Sequence, residues 1–187
     1  MASVPWVGRR RSVAALAASH GREPVVAACL DLLVGREVDG DFIFGLGGPP
    51  ARWAVYGAAS GPDYWLRVWA LRGLPWLWDD VATRAVVESL TDEAWRVREM
   101  AAKVVARHLV DSALPSVLDL QADPVARVRM AAQRAVVRLT RQRRVVRHFG
   151  HQSVMPASRL GRAAPLSDYQ RRDFPSRRTT SQRTLRR

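Results

Sequence analysis

The stretch Asp92-Glu93-Ala94-Trp95-Arg96-Val97-Arg98-Glu99-Met100-Ala101-Ala102-Lys103-Val104-Val105-Ala106-Arg107 lies over Asp123-Pro124-Val125-Ala126-Arg127-Val128-Arg129-Met130-Ala131-Ala132-Gln133-Arg134-Ala135-Val136-Val137-Arg138 at an offset of 31 residues. The copies share the Asp, the Arg-Val-Arg triplet, a following Ala and two further basic positions. Asp63-Tyr64-Trp65-Leu66-Arg67-Val68-Trp69-Ala70-Leu71-Arg72-Gly73-Leu74 reads as a weaker third copy at an offset of 29 from the first, with Trp69 standing where the triplet has its second Arg. A fixed period near 30 residues signals an array in which each unit buries its apolar face on the next.

Each copy reads as a helix with a start signal. Asp63, Asp92 and Asp123 suit an N-cap, and Pro124 suits the first helical position. Upstream of the copies lie further helical stretches: Asp79 to Leu90 with Val81, Val86 and Leu90, Asp111 to Leu120 behind a capping Asp, and a shorter one from Pro50 to Ala59. The unit is therefore helix, short turn, helix, and the fold class is all-α.

The Asp followed six residues later by Arg, inside Arg-Val-Arg-x-x-Ala, resembles HEAT repeats, and the chain is similar to short bacterial HEAT-repeat proteins of actinobacterial type. The resemblance runs over about residues 50 to 140 and implies an α-solenoid that serves as an interaction scaffold without a cofactor. Residues 1–49 read as a degenerate helix pair and a glycine-rich loop, 50–140 as the repeats, and 141–187 as a basic tail, disordered from about residue 150.

On the helix that follows Asp92, residues Val97, Met100 or Ala101, Val104 and His108 recur at core spacing. Arg96, Glu99, Lys103 and Arg107 fall on one stripe, and Arg127, Met130, Arg134 and Arg138 form its equivalent in the next unit. Side by side, with Arg67 as an extension, they make a candidate binding ribbon. Arg98 and Arg129 lie about 200° around the helix from the preceding stripe residue, toward the seam between units. There they are expected to bond Asp92 and Asp123 as a structural ladder.

The net charge of +13 is misleading. Thirteen arginines and two aspartates stand from residue 141 onward, so residues 1–140 carry a net of only +2. All basic residues except Lys103 are Arg, a bias that by itself does not signal phosphate recognition. Arg9-Arg10-Arg11 ahead of Val13 to Ala18 resembles an export signal, but the apolar run is too short for one. A short amphipathic helix is the preferred reading, and a cytoplasmic location the expectation. No apolar run is long enough to cross a bilayer. Pro24 and Gly35 bracket a second helix, in which Cys29 reads as a small core residue. Residues 36–50, with Gly40, Gly45, Gly47 and Gly48 around Phe42-Ile43-Phe44, read as a packed loop, since no Gly-Lys-Ser/Thr supports a phosphate loop.

Chemistry is sparse. The pair His148 and His151 lacks a carboxylate, Asp79-Asp80 reads as a helix start, and no nucleophile stands beside a placed base. The sequence therefore leads to a non-catalytic scaffold with no cofactor and no metal that binds an unknown protein. Two alternatives stand beside it. One is weak, non-specific nucleic-acid contact through the stripe and tail. The other is an accessory role to an enzyme, as in HEAT-like lyases. Most of the seven tryptophans read as packing between units, with an aromatic ligand surface as the minority reading.

Overall fold

Apolar residues recur at helical spacing along the whole chain, and the backbone follows them. A computed structural model describes residues 8–56 and 61–150. Its helices are α1 (Arg9–His20), α2 (Arg22–Leu33), α3 (Gly40–Gly47), α4 (Arg52–Tyr56), α5 (Tyr64–Gly73), α6 (Thr83–Glu88), α7 (Trp95–His108), α8 (Leu114–Asp119) and α9 (Ala126–Gly150). Among the described residues there is no strand. The tail expected to be disordered, His148 and His151 as a pair, and the residues before Gly8 lie wholly or partly outside the described residues.

The longer helices form a row: α2 packs on α5, α5 on α7 and α7 on α9. α1 and α3 pack on each other, and α3 lies against α5. The short helices α6 and α8, each flanked by 3-10 turns, are the first members of two helical hairpins. One apolar cluster runs from Val13 in α1 to Leu139 in α9, and Val97, Ala101 and Val104 are fully buried in it. Met100 and His108, also expected in the core, are only partly buried. α7 ends on Leu109, whose left-handed φ of 55° costs an L-residue about 1 kcal/mol. Leu109 packs partly against the core, which keeps it there.

The period is 31 residues in the third copy too. Ala70, Ala101 and Ala132 are all fully buried and stand 31 residues apart. The offset of 29 places Asp63 over Asp92, but at the period of 31 Gly61 holds that position. Asp63 makes no side-chain cap. Arg67 therefore matches Arg98 rather than Arg96. It leaves the candidate ribbon and joins the seam: its Nε and Nη2 donate to Asp92 Oδ2 and Oδ1 at 2.7 and 3.2 Å.

Other corrections are local. Residues 40–47 are helical, not loop, because the Asp39 carboxylate accepts the Asp41 N–H and the turns that follow bury Ile43 and Leu46. Packing overrides the poor helix propensity of glycine here: a Cβ on Gly47 would sit 2.6 Å from Ala51 Cβ and 2.7 Å from Trp69. Asp111 does not cap; it pairs with Arg143 on α9 at 2.5 Å. Asp92 and Asp123 cap from one turn upstream, accepting the N–H of Ala94 and Val125, so Pro124 precedes α9 rather than opening it. Gly35, with φ +75°, stops α2 as expected, since Arg36 N–H donates back to Asp31 C=O.

Candidate protein-interaction surface

The seam is built from one repeated arrangement. Arg98 Nε and Nη2 donate to Asp123 at 2.7 and 3.3 Å, while Nη1 donates to the carbonyls of Asp92 and Glu93. One guanidinium thus holds its own turn with one nitrogen and the next unit with the other two. Burial pushes the Asp123 carboxyl up. The bonds from Arg98 and the Val125 N–H, with the charges of Arg98 and Arg129, outweigh that and hold it below the usual carboxylate range. Arg129 holds its own turn in the same way, through Nη1 on the carbonyls of Asp123 and Pro124.

The other face carries the stripe. Adjacent helices start with aromatic residues and arginines in register: Tyr64 with Trp95, and Trp65 with Arg96 and Arg127, at steps of 31 residues. The Arg96 guanidinium carbon therefore lies 4.3 Å from the Trp95 ring centre, 5.4 Å from Trp65 and 5.8 Å from Tyr64. Arg127 lies 5.5 Å from Trp95, and its Nε reaches Glu99 Oε1 at 3.4 Å. Lys103 donates to the same Glu99 oxygen at 2.8 Å. Farther along α7, Arg107 stacks 4.8 Å from Trp76 and donates to the Pro75 carbonyl. Arg10 of α1 lies 5.7 Å from the Trp76 ring, and these residues frame a recess of about 330 Å³.

The ribbon is thus a lattice of arginines on aromatic rings rather than a row of free cations. Arg96, Lys103, Arg107 and Arg127 are each engaged. Arg134 and Arg138 are exposed and make no ion pair with a described residue. Next to the lattice, Trp53, Trp65 and Trp69 line a cavity of about 490 Å³ with Pro49 and Arg72. Trp53 and Trp69 have ring centres 5.9 Å apart, and Trp65 stacks on Trp69 at 6.3 Å. The tryptophans divide between core and surface: Trp69 is buried, Trp65 and Trp95 are half-exposed, and Trp76 is exposed. The signal that finds this lattice is the 31-residue register of Trp65 with Arg96, which the offset of 29 concealed.

Residues 52–136 match the family model for HEAT repeats. The chain contains a HEAT-repeat domain. Its matched span begins at α4 and ends within α9, so it holds the seam and the aromatic lattice. HEAT repeats generally serve as protein-interaction scaffolds, through extended faces of stacked helices. No curated protein and no solved structure matches the chain. Among the described residues no helix is long and apolar enough to cross a membrane, and no group of three or more His, Cys, Asp or Glu is placed to hold a metal ion.

Proposed function

We infer that the protein is a non-catalytic scaffold that binds another protein across the face made by the first turns of α5, α7 and α9. The observation that carries this reading is the lattice of Tyr64, Trp65, Trp95, Arg96 and Arg127. Tyr, Trp and Arg are the residues that dominate binding energy at protein interfaces, because they bury large rigid surfaces and still offer donors. The cavity beside Trp53 and Trp69 would take an apolar or proline side chain, and the arginines a flanking carboxylate. The nucleic-acid alternative draws less support. Phosphate binding grows with the number of cations that release counterions, and residues 1–140, which carry the ribbon, have a net charge of only +2, with Lys103 and Arg127 already on Glu99. An accessory role to an enzyme would use the same face, and nothing in the site singles it out.

The test is photo-crosslinking in cells from a benzoylphenylalanine placed at Trp65, on its own and with Arg96→Glu and Arg127→Glu. A defined protein that crosslinks at stoichiometric yield, and is lost in the charge-reversed variant while the melting temperature holds, is the expected result. Crosslinks to nucleic acid alone, or a yield that ignores the charge reversal, would remove the reading.

A further inference from the structure

The register of 31 residues tells what each position of α9 would do if another unit followed. In α7 the side that faces α9 holds Glu99, Ala102 and Ala106, which are 7 %, 0 % and 7 % exposed. Their equivalents in α9 are Met130, Gln133 and Val137. Met130 is 59 % and Val137 53 % exposed, and Gln133 is exposed as well. Two large apolar side chains at i and i+7 share a helix face, and here that face is the end of the row of described helices.

The same edge holds an unfilled rung. Arg67 and Arg98 each give Nε and Nη2 to the aspartate of the following unit. Arg129 stands in register with them and is fixed by the same Nη1 bonds to its own turn. Its Nε and Nη2 have no acceptor among the described residues. The position 31 residues after Asp123 is Val154, so the chain does not supply the next aspartate in register.

We propose that this end of the row is a docking surface for an acidic amphipathic helix of another protein. One carboxylate of that helix takes the Nε and Nη2 edge of Arg129, as Asp123 takes that of Arg98, and its apolar side covers Met130 and Val137. Charge selects this occupant. α9 contains eight arginines and no acidic residue from Ala126 to Gly150, and the segment beyond it carries nine more arginines against Asp168 and Asp173. A second copy of α9 and the chain's own C-terminal segment would therefore both bring cations to cations, whereas an acidic helix meets Arg134 and Arg141 with opposite charge. The surface borders the ribbon through Met130 and Arg134, but Arg129 and Val137 lie outside the ribbon, so substitutions at these two test the proposal separately from that face.

The experiment uses the full chain labelled with 13C at its methionine methyl groups. The probe is a synthetic helix of Leu, Ala and Glu about three heptads long, with a control in which Lys replaces Glu. Met130 reports the end of the row, and Met100, half-buried on α7 and packed against the core, serves as the internal control. The expected result is a saturable shift of the Met130 methyl signal by the Glu helix alone, with Met100 unmoved. Loss of a bidentate charge-assisted pair in Arg129→Gln should weaken that binding by at least about tenfold, and Val137→Glu should weaken it as well. An equal response to the Lys helix, a shift confined to Met100, or an affinity indifferent to Arg129→Gln would overturn the proposal. So would a dimer of the free chain that Val137→Glu dissociates, because a second copy would then own the face.

Discussion

Substituting Asp123 by Ala removes two things at once: the acceptor for the Val125 N–H and both oxygens that Arg98 holds. Loss of such a cap costs about 1 kcal/mol. Loss of a charge-assisted pair between groups this shielded (side-chain exposures of 14 % for Arg98 and 3 % for Asp123) costs a further ~1.5 to 3 kcal/mol. Arg98 keeps its carbonyl partners through Nη1, which limits the penalty of stranding its charge. The sum is about 2.5 to 4 kcal/mol, which for a folded unit of this size lowers the melting temperature by about 6 to 14 °C. Asp123→Asn, which keeps one acceptor for Val125, should lose about half as much. A double-mutant cycle with Arg98→Met isolates the pair, and a coupling above about 1 kcal/mol is expected.

The pH dependence adds an independent check. The Asp123 carboxyl titrates in the folded state below its ordinary value of 3.8. A depressed carboxyl stabilises the fold above the unfolded pKa, and that contribution fades as pH falls through the folded pKa. The stability gap between the wild type and Asp123→Asn should hold steady from pH 7 to about 5 and close below about pH 4. Circular dichroism melts of both chains across that range measure it. A melt of Asp123→Ala within a degree of the wild type, or a cycle with no coupling, would refute the claim that this pair ties the repeats together.

Other outcomes follow from single contacts. The Asp111–Arg143 pair is exposed, so Asp111→Ala should cost under about 1 kcal/mol by the same melts, despite its short distance. A Cβ on Gly73 would lie 2.6 Å from Leu46 and 3.4 Å from Cys29 Sγ, so Gly73→Ala should destabilise by about 1 to 3 kcal/mol in urea titrations. Burial pushes the Cys29 thiol up to about 12, so at pH 8 it should react with a disulfide reagent only as fast as the chain opens. His108 stacks on Trp78 with ring centres 4.5 Å apart, and burial, then the charge of Arg107, lowers its pKa from 6.5. The unfolded chain then binds the proton more readily, so stability should fall from pH 7 to 5, and His108→Phe should flatten that slope.

The all-α array was legible because its signal is redundant: an Asp, an Arg-Val-Arg and an Ala recur at one spacing, and both turn aspartates lie on seam arginines. What was harder to read depended on a single residue. Asp63 resembles a repeat aspartate and pulled the third copy two positions out of register, which sent Arg67 to the wrong face of α5. Phe42-Ile43-Phe44 among glycines resembles a loop because glycine propensity is a local quantity, whereas close approach to Ala51 and Trp69 is a tertiary one. The stripe's positions followed from helical spacing, but spacing is blind to what lies beside a side chain. Only the stacking of α5 on α7 puts Trp65 under Arg96.

The excess of arginine also takes on meaning from this geometry. Each guanidinium has two edges, and the repeat uses both: Arg98 spends one on its own turn and one on the next aspartate. At the other face Arg96 and Arg127 spend theirs on aromatic rings and Glu99. Five arginines that stay exposed without a described ion partner, Arg129, Arg134, Arg138, Arg141 and Arg144, stand on α9, which no described helix follows. The arginines of the seam and the lattice are therefore internal structure, whereas those of α9 outside them are presented as surface. Polyanion attraction and partner docking then make different demands of the same residues. The first depends on the number of arginines, and the second on the one whose orientation is fixed, Arg129, next to Met130 and Val137.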